Sequence, residues 1–303
     1  MRVLVSGASG FVGRSVLAAL VAQGADVVAV SRTRPGPAGR YRHAAFDLLD
    51  ASRPLDGLFE GGIDTVLHLA WTVEHGAFWT SPENLDWIAA SLRLARAANR
   101  HGVKRFVGVG TCYEYQWPSD GACCEKTTPL WPTTLYAVAK DATRRVLDEY
   151  ARQNETAFAW ARLFFLYGPD EGPSRLVGSV ARRLARAETA ELSRGLAVRD
   201  FMHVDDVGRA LAALAAGGLT GAVNIASGEA VSVADIARKL AAAAGRPDLL
   251  RFGALPDRAG EPPRIVADVA RLRNELGFRP RYGLDSGLAA TLETLQSHGE
   301  PGR

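Results

Sequence analysis

Met1-Arg-Val-Leu-Val-Ser-Gly7-Ala-Ser-Gly10-Phe-Val-Gly13-Arg-Ser-Val-Leu-Ala-Ala-Leu20 is the stretch that sets the fold. Arg2–Ser6 reads as a buried strand, and residues 11–23 carry apolar side chains at helical spacing. Three glycines three residues apart, Gly7, Gly10 and Gly13, run from the end of the strand into the first turn of the helix. Gly7 permits a tight turn, Gly10 lets the backbone approach a ligand, and Gly13 lets helix pack on strand. With Ser9, Phe11 and Val12 the loop opens a helix whose free N–H groups face outward, a site for the pyrophosphate of a dinucleotide. A glycine pattern alone is equally a plain structural turn; its place between strand and helix gives it meaning.

Outward from this unit the rhythm repeats. Strands are expected at 26–31, 44–46, 65–69, 105–109 and 156–163, with helices over 83–101 and 136–153. Such alternation predicts an α/β fold, a Rossmann-type doubly wound parallel sheet covered on both faces. Right-handed crossovers then bring Gly7, Ser31, Asp47, Ala70 and Thr111 to one edge. Beyond 165 the pattern loosens around Gly168-Pro169 and Gly172-Pro173. Helices are expected at 175–187 and 205–216, and a strand at 222–226 returns to the sheet. Helices at 233–244, 269–276 and 284–295 make a smaller C-terminal substrate lobe. The boundaries are 1–165 with 198–226 for the dinucleotide-binding domain, and 166–197 with 227–303 for the lobe. A substrate belongs between them.

The end of the second strand decides the cofactor. An NAD site places a carboxylate there for the ribose hydroxyls, whereas this chain has Val30-Ser31-Arg32-Thr33-Arg34. A hydroxyl and a guanidinium suit the 2′-phosphate of NADP, although both arginines could be solvated loop residues. NADP(H) is the expected cofactor, ahead of NAD.

The chemistry lies in Tyr136-Ala-Val-Ala-Lys140. Four residues is one helical turn, so phenol and ammonium share a face. A phenol of pKa about 10 shuttles protons poorly at neutral pH, and the adjacent ammonium, with the positive nicotinamide of the oxidised cofactor, is expected to bring it toward the working range. Tyr136 then gives its proton to a carbonyl oxygen while hydride reaches carbon, Thr111 hydrogen-bonds the same oxygen, and Lys140 also holds the nicotinamide ribose.

Bulk properties set limits. The 303 residues suit one large α/β domain with a smaller appendage. A formal charge of +3 with scattered arginines gives no nucleic-acid footprint. Cys112, Cys123 and Cys124 make a poor disulfide framework, and no His or Cys spacing suggests a metal. Cys112 reads as a structural thiol rather than a nucleophile, and His203 as a packing or hydrogen-bonding residue. Asp205 and Asp206 are expected to cap the helix they open. Trp71, Trp79 and Trp87 line either the substrate mouth or the core. The first strand starts at once and no apolar run reaches membrane length, so a cytoplasmic protein with no membrane contact is expected.

The chain resembles the extended short-chain dehydrogenase/reductases that act on nucleotide sugars, of the NAD-dependent epimerase/dehydratase type. The likeness runs from Met1 to about Leu295. It rests on the glycine loop, Asp64-Thr-Val-Leu-His-Leu-Ala70, Gly110-Thr-Cys-Tyr-Glu-Tyr115, Tyr136-Ala-Val-Ala-Lys140, Arg162-Leu-Phe-Phe-Leu-Tyr-Gly-Pro169 and Val198-Arg-Asp-Phe-Met-His-Val-Asp-Asp206. The resemblance implies Asp47 and Leu48 at the adenine, and Leu69, Ala70 and Trp71 along the cofactor. It implies Arg199 and Arg258 on the sugar nucleotide's diphosphate, and Asn84 in a substrate-side or structural role. Thr111, Cys112, Tyr113 and Phe165 fall on the substrate side. It also implies a homodimer through helices 83–101 and 136–153; their apolar Leu92, Ala95, Ala142 and Leu147 face either that partner or the sheet.

Departures from the family pattern narrow the reaction. Dehydratases have Asp-Glu directly after the catalytic Thr, where this chain has Cys112-Tyr113, and the family's frequent Asn is replaced by Phe165. The expected activity is NADPH-dependent reduction of a ring ketone, C4 ahead of C3, on a nucleotide-linked keto-6-deoxysugar. The alternatives are a nucleotide-sugar epimerase with retained NAD(P) and a non-catalytic NADP-binding regulator.

Overall fold

Leu4 faces one apolar layer while Val3 and Val5 face another, and all three are fully buried. A strand apolar on both faces must lie inside a sheet covered on both sides. The computed structural model describes residues 1–298 apart from 37, 38, 75, 258 and 259. Seven parallel strands form its main sheet: β1 (Arg2–Ser6), β2 (Asp26–Ser31), β3 (Arg42–Ala45), β4 (Thr65–His68), β5 (Arg105–Thr111), β6 (Ala157–Leu163) and, later in the chain, Gly221–Ile225. Between β6 and that last strand lie β7 (Phe165–Tyr167), β8 (Ala190–Leu192), β9 (Val198–Arg199) and β10 (Phe201–His203), so Gly221–Ile225 is β11. The sheet order is β3-β2-β1-β4-β5-β6-β11. The order reverses between β1 and β4, the place where open parallel sheets bind ligands beyond the strand ends. This is the Rossmann-type fold expected from the sequence.

Helices α1 (Phe11–Ala22), α2 (Glu83–Arg100), α3 (Leu135–Gln153), α4 (Leu176–Ala185) and α5 (Val204–Ala216) follow in order. Helices α1 and α5 pack together on one face, α2 and α3 on the other. The α1–α5 contact is close because Gly208 lies against Ser15, whose hydroxyl donates to Val204 O at 3.0 Å. A third apolar cluster joins α4 to α6 (Val233–Ala243) and α7 (Leu284–His298) through Val177, Leu184, Ile236, Leu240, Leu288 and Leu292. Short pairings complete that region: β7 with β10, β8 with β13 (Leu250–Phe252), and β9 with both β12 (Val231–Ser232) and β14 (Arg264–Ile265). Among the described residues no helix is long and apolar enough to cross a membrane.

Three expectations are corrected. The third strand is Arg42–Ala45 rather than 44–46. The helix at 269–276 is a five-residue π-helical turn, Arg271–Glu275, a segment too short for periodicity to separate from a turn. Asp206 does not merely cap α5. Its fully buried carboxylate accepts from the backbone N–H of Arg281 and Tyr282 and from Arg209, tying the α7 approach to α5. The cap itself is His203, whose Nδ1 accepts from the N–H of Asp205 at 3.3 Å.

Candidate active site

The glycine loop has the shape the chemistry needs. Gly7 has φ +72°, and a Cβ there would come within 2.8 Å of Ala70 N, so a side chain is barred twice over. A Cβ on Gly13 would collide with the Gly7 carbonyl. Gly10 donates to Gly7 O at 3.1 Å and is the N-cap of α1, without a side-chain cap. No acidic residue stands in the first turn of α1, so the helix end keeps its positive potential for an anion. Ser9, Phe11 and Val12 are half-buried around it. Ser6 crosses to β4, donating or accepting at His68 Nδ1 (2.6 Å) and accepting from Ala70 N–H (3.3 Å). This cradle of bare backbone beside a helix N-terminus fits the pyrophosphate of a dinucleotide.

Ser31 ends β2 and is buried, and its hydroxyl donates to Thr33 O at 2.8 Å, so its proton is already used locally. Arg32 is exposed and has no acidic partner among the described residues, whereas Arg34 lies over Tyr41 at 5.7 Å. Asp47 shapes the turn after β3 by accepting from Leu49 N–H, and Leu48 is buried beside it. Leu69 and Ala70 are half-buried at the end of β4.

Tyr136 and Lys140 open α3, whose N-cap is Thr134. Both are more than nine-tenths buried. Lys140 Nζ donates to Val109 O at 2.8 Å and sits 3.8 Å from the centroid of the Trp71 ring. Burial lowers its pKa to about 7, partly opposed by the Glu114 carboxylate. The expected depression of Tyr136 by Lys140 is not what this arrangement produces. Burial, then Glu114, push the phenol above its ordinary value, while a hydrogen bond with Thr111 pulls the other way. The ammonium is 5.9 Å from the Tyr136 ring centroid, and desolvation of the phenolate outweighs its attraction. Tyr136 is therefore a protonated phenol, the form that donates.

Thr111 ends β5 and is the N-cap of a short 3-10 turn, Cys112–Glu114. Its hydroxyl accepts from Tyr113 N–H at 3.3 Å, while Glu114 Oε1 accepts from Thr111 N–H at 2.9 Å. Glu114 is wholly buried and also accepts from Trp160 Nε1 (3.0 Å) and Arg162 Nε (2.7 Å). Arg162 donates in turn to Tyr115 OH, which donates to Asn224 Oδ1 on β11. Sequence reasoning missed Glu114. The signal was there, since Thr111-Cys-Tyr-Glu114 is a Thr-x-x-Glu capping pattern. Cys112 is buried with its thiol pushed well up by burial, which suits an inert structural thiol.

An aromatic wall runs from Tyr136 outward. Phe78 meets it edge-on at 4.8 Å and Trp79 at 5.9 Å; Trp79 contacts Tyr113 at 4.6 Å, and Tyr113 contacts Trp117 (5.3 Å) and Phe165 (6.3 Å). Arg199 lies over Phe165 at 5.4 Å, almost fully buried, and is paired with Glu261 at 2.8 Å. Arg258 lies outside the described residues. Trp87, on α2, packs into the core, and Asn84 is structural, binding Trp71 Nε1, Phe78 O and Ser81 O. Among the described residues no cluster of His, Cys, Asp or Glu is placed to hold a metal.

Residues 3–226 match the family model described as NAD dependent epimerase/dehydratase family. A dTDP-glucose 4,6-dehydratase from Streptomyces griseus is 30% identical over 97% of this chain and 94% of its own length. A dTDP-4-dehydro-6-deoxy-D-allose reductase from Streptomyces bikiniensis is 29% identical over 98% and 96%. Among solved structures, MoeE5 in complex with UDP-glucuronic acid and NAD superposes with a TM-score of 0.86 at 32% identity, covering 98% of this chain and all of that one. UDP-glucose 4-epimerases are also among the relatives.

Proposed function

The chain belongs to the NAD-dependent epimerase/dehydratase family, whose relatives here are enzymes that modify nucleotide sugars, and within it we propose an NADPH-dependent ketoreductase. Its substrate is a nucleotide-linked keto-6-deoxysugar reduced at a ring carbonyl, C4 ahead of C3. The observation that carries this reading is the turn after β5. No carboxylate there is available to remove a substrate proton: Cys112 and Tyr113 follow Thr111, and Glu114 is bound into the core by Trp160 and Arg162. That argues against dehydration and leaves Tyr136 as the proton donor, with Thr111 beside it.

The residues divide the work. Gly7, Ser9, Gly10, Phe11, Val12 and Gly13 hold the cofactor's pyrophosphate; Asp47 and Leu48 lie at the adenine, and Leu69, Ala70 and Trp71 flank the nicotinamide half. The bound nicotinamide supplies the hydride. Tyr136 gives its phenolic proton to the carbonyl oxygen as charge develops there, and Thr111 hydrogen-bonds the same oxygen. Lys140 holds the nicotinamide ribose and keeps a positive charge near the phenol. Cys112, Tyr113 and Phe165 bound the sugar, and Arg199 with Arg258 binds the diphosphate, for which Arg199 must exchange Glu261. The substrate sits between the sheet domain, 1–165 with 198–226, and the lobe, 166–197 with 227–303.

NADPH is favoured because Arg32 is exposed beside the end of β2 and no carboxylate follows Ser31 to repel a 2′-phosphate. Arg32→Ala should weaken NADPH binding about ten- to a hundred-fold, on the order of 1.5–3 kcal/mol for a charge-assisted contact, and leave NADH unchanged. Fluorescence titration checks this; equal affinity of the unmodified protein for both cofactors sinks the preference.

A second reading, a nucleotide-sugar epimerase retaining NAD(P), is favoured by the UDP-glucose 4-epimerases among the relatives, one of them 28% identical over 98% of this chain. Following NADPH during turnover of a nucleotide-linked 4-keto-6-deoxyhexose separates the two: a reductase consumes it, an epimerase does not. We also propose a homodimer through α2 and α3. Ala95 and Leu147 face the core, but Leu85, Val138 and Val146 are exposed on these helices and supply the apolar contact. Light scattering at micromolar concentration that returns a monomer mass contradicts the pairing.

A further inference from the structure

A lysine that is nine-tenths buried is expected to lose its proton unless something replaces water around the ammonium. Val109 O accepts from Lys140 Nζ at 2.8 Å. Two other groups act on the ammonium, the Trp71 ring and the Glu114 carboxylate. The centroid of the Trp71 ring lies 3.8 Å from Nζ, well within the range at which a ring quadrupole attracts a cation, and that attraction is stronger where water is excluded. Glu114, the wholly buried carboxylate of the turn that follows β5, is anchored to Thr111 N–H, two residues beyond Val109.

The Trp71 ring is not free to drift. Its Nε1 donates to Asn84 Oδ1 at 2.8 Å, and it stacks on Trp87 at 6.0 Å; Trp87 Nε1 is fixed by Thr72 Oγ1 at 2.9 Å. The Asn84 amide in turn donates to Phe78 O and Ser81 O. The segment after β4 is thus built to present one flat aromatic face to one cation. The remaining charged or titratable groups facing Lys140 do not do this work. His68 on β4 is held neutral, its pKa lowered to about 3 by burial and by Lys140 itself, and Tyr136 on the same helix is protonated.

We infer that the ring face of Trp71 and the carboxylate of Glu114 are what keep Lys140 an ammonium inside the core, making both positioning residues for the Tyr136–Lys140 pair. The inference deepens the reading of this site as an oxidoreductase centre, but its test needs no turnover, so the two can fail separately.

The chain has four lysines, Lys104, Lys126, Lys140 and Lys239, which makes direct titration practical. Protein labelled with ¹³C at lysine Cε is titrated by NMR, and the Lys140 signal is assigned by its loss in Lys140→Arg. In the unmodified protein the Lys140 signal should titrate well below an ordinary lysine, at about 7, because of burial. Trp71→Leu removes the π face and should lower the proton affinity of Lys140 about tenfold or more. Trp71→Phe keeps a face and loses the indole N–H, so it should retain most of that affinity. Glu114→Gln should lower it by about tenfold as well, through loss of the opposite charge. Circular dichroism verifies that each variant is folded. If Glu114→Gln does not fold because Arg162 loses its partner, Glu114→Gln combined with Arg162→Met, which leaves no unpaired buried charge, carries that arm. Titration unchanged within about twofold in Trp71→Leu or in the folded Glu114 variant, or equal losses in Leu and Phe, overturns the inference.

Discussion

Tyr136→Phe should lower kcat/KM for the proposed carbonyl substrate by about 10²–10⁴-fold, the usual worth of a positioned general acid. The substitution removes one oxygen and leaves the ring in its edge-on contacts with Phe78 and Trp79. Folding and cofactor binding should therefore be unchanged. The loss should fall on kcat, because the proton is transferred in the transition state and contributes little to holding the ground state. Steady-state kinetics with parallel cofactor titration checks this. A variant that keeps kcat within about threefold removes Tyr136 from the chemistry and points to another donor.

Arg162→Leu is the second large effect, and it acts on stability. Arg162 is 2% exposed and meets a carboxylate with no exposure at all. Removing one member of such a pair strands the other charge in the core, at a cost of about 3–5 kcal/mol. Glu114 would keep its hydrogen bonds from Thr111 N–H and Trp160 but lose its counter-charge. Urea unfolding measures the loss. Replacing Glu114 and Arg162 together by apolar residues should cost less than replacing Arg162 alone, since no buried charge is left over. A single-variant loss under about 1 kcal/mol, the value of an exposed pair, would contradict the account of this network.

Much of this was legible in the residues. Strand β1 and its glycine loop could be placed because a buried strand, a turn that bars side chains and an apolar helix each leave a distinct local pattern. The pairing of Tyr136 with Lys140 followed from helical spacing alone. What spacing could not give was the sign of the Tyr136 shift. Two groups on one face say nothing about how deeply both are buried, and burial won over proximity. Trp71 was expected along the cofactor; that its ring lies on Lys140 could not be read from spacing, because its orientation depends on Asn84 thirteen residues later. Asp206 looked like a helix cap and turned out to hold residues 281 and 282, a contact across 75 positions that no local pattern encodes. The π-helical turn at Arg271–Glu275 escaped for the opposite reason: it is too short to show any period.

The central claim is that this site reduces a ring ketone and consumes its cofactor in doing so. The most direct measurement supplies nucleotide-linked 4-keto-6-deoxyhexoses with NADPH, follows absorbance loss, and resolves the stereochemistry of the product. The account predicts stoichiometric NADPH oxidation that requires the sugar and yields a single 4-hydroxy epimer. Isomerised sugar with NADPH left intact would contradict it and establish an epimerase instead.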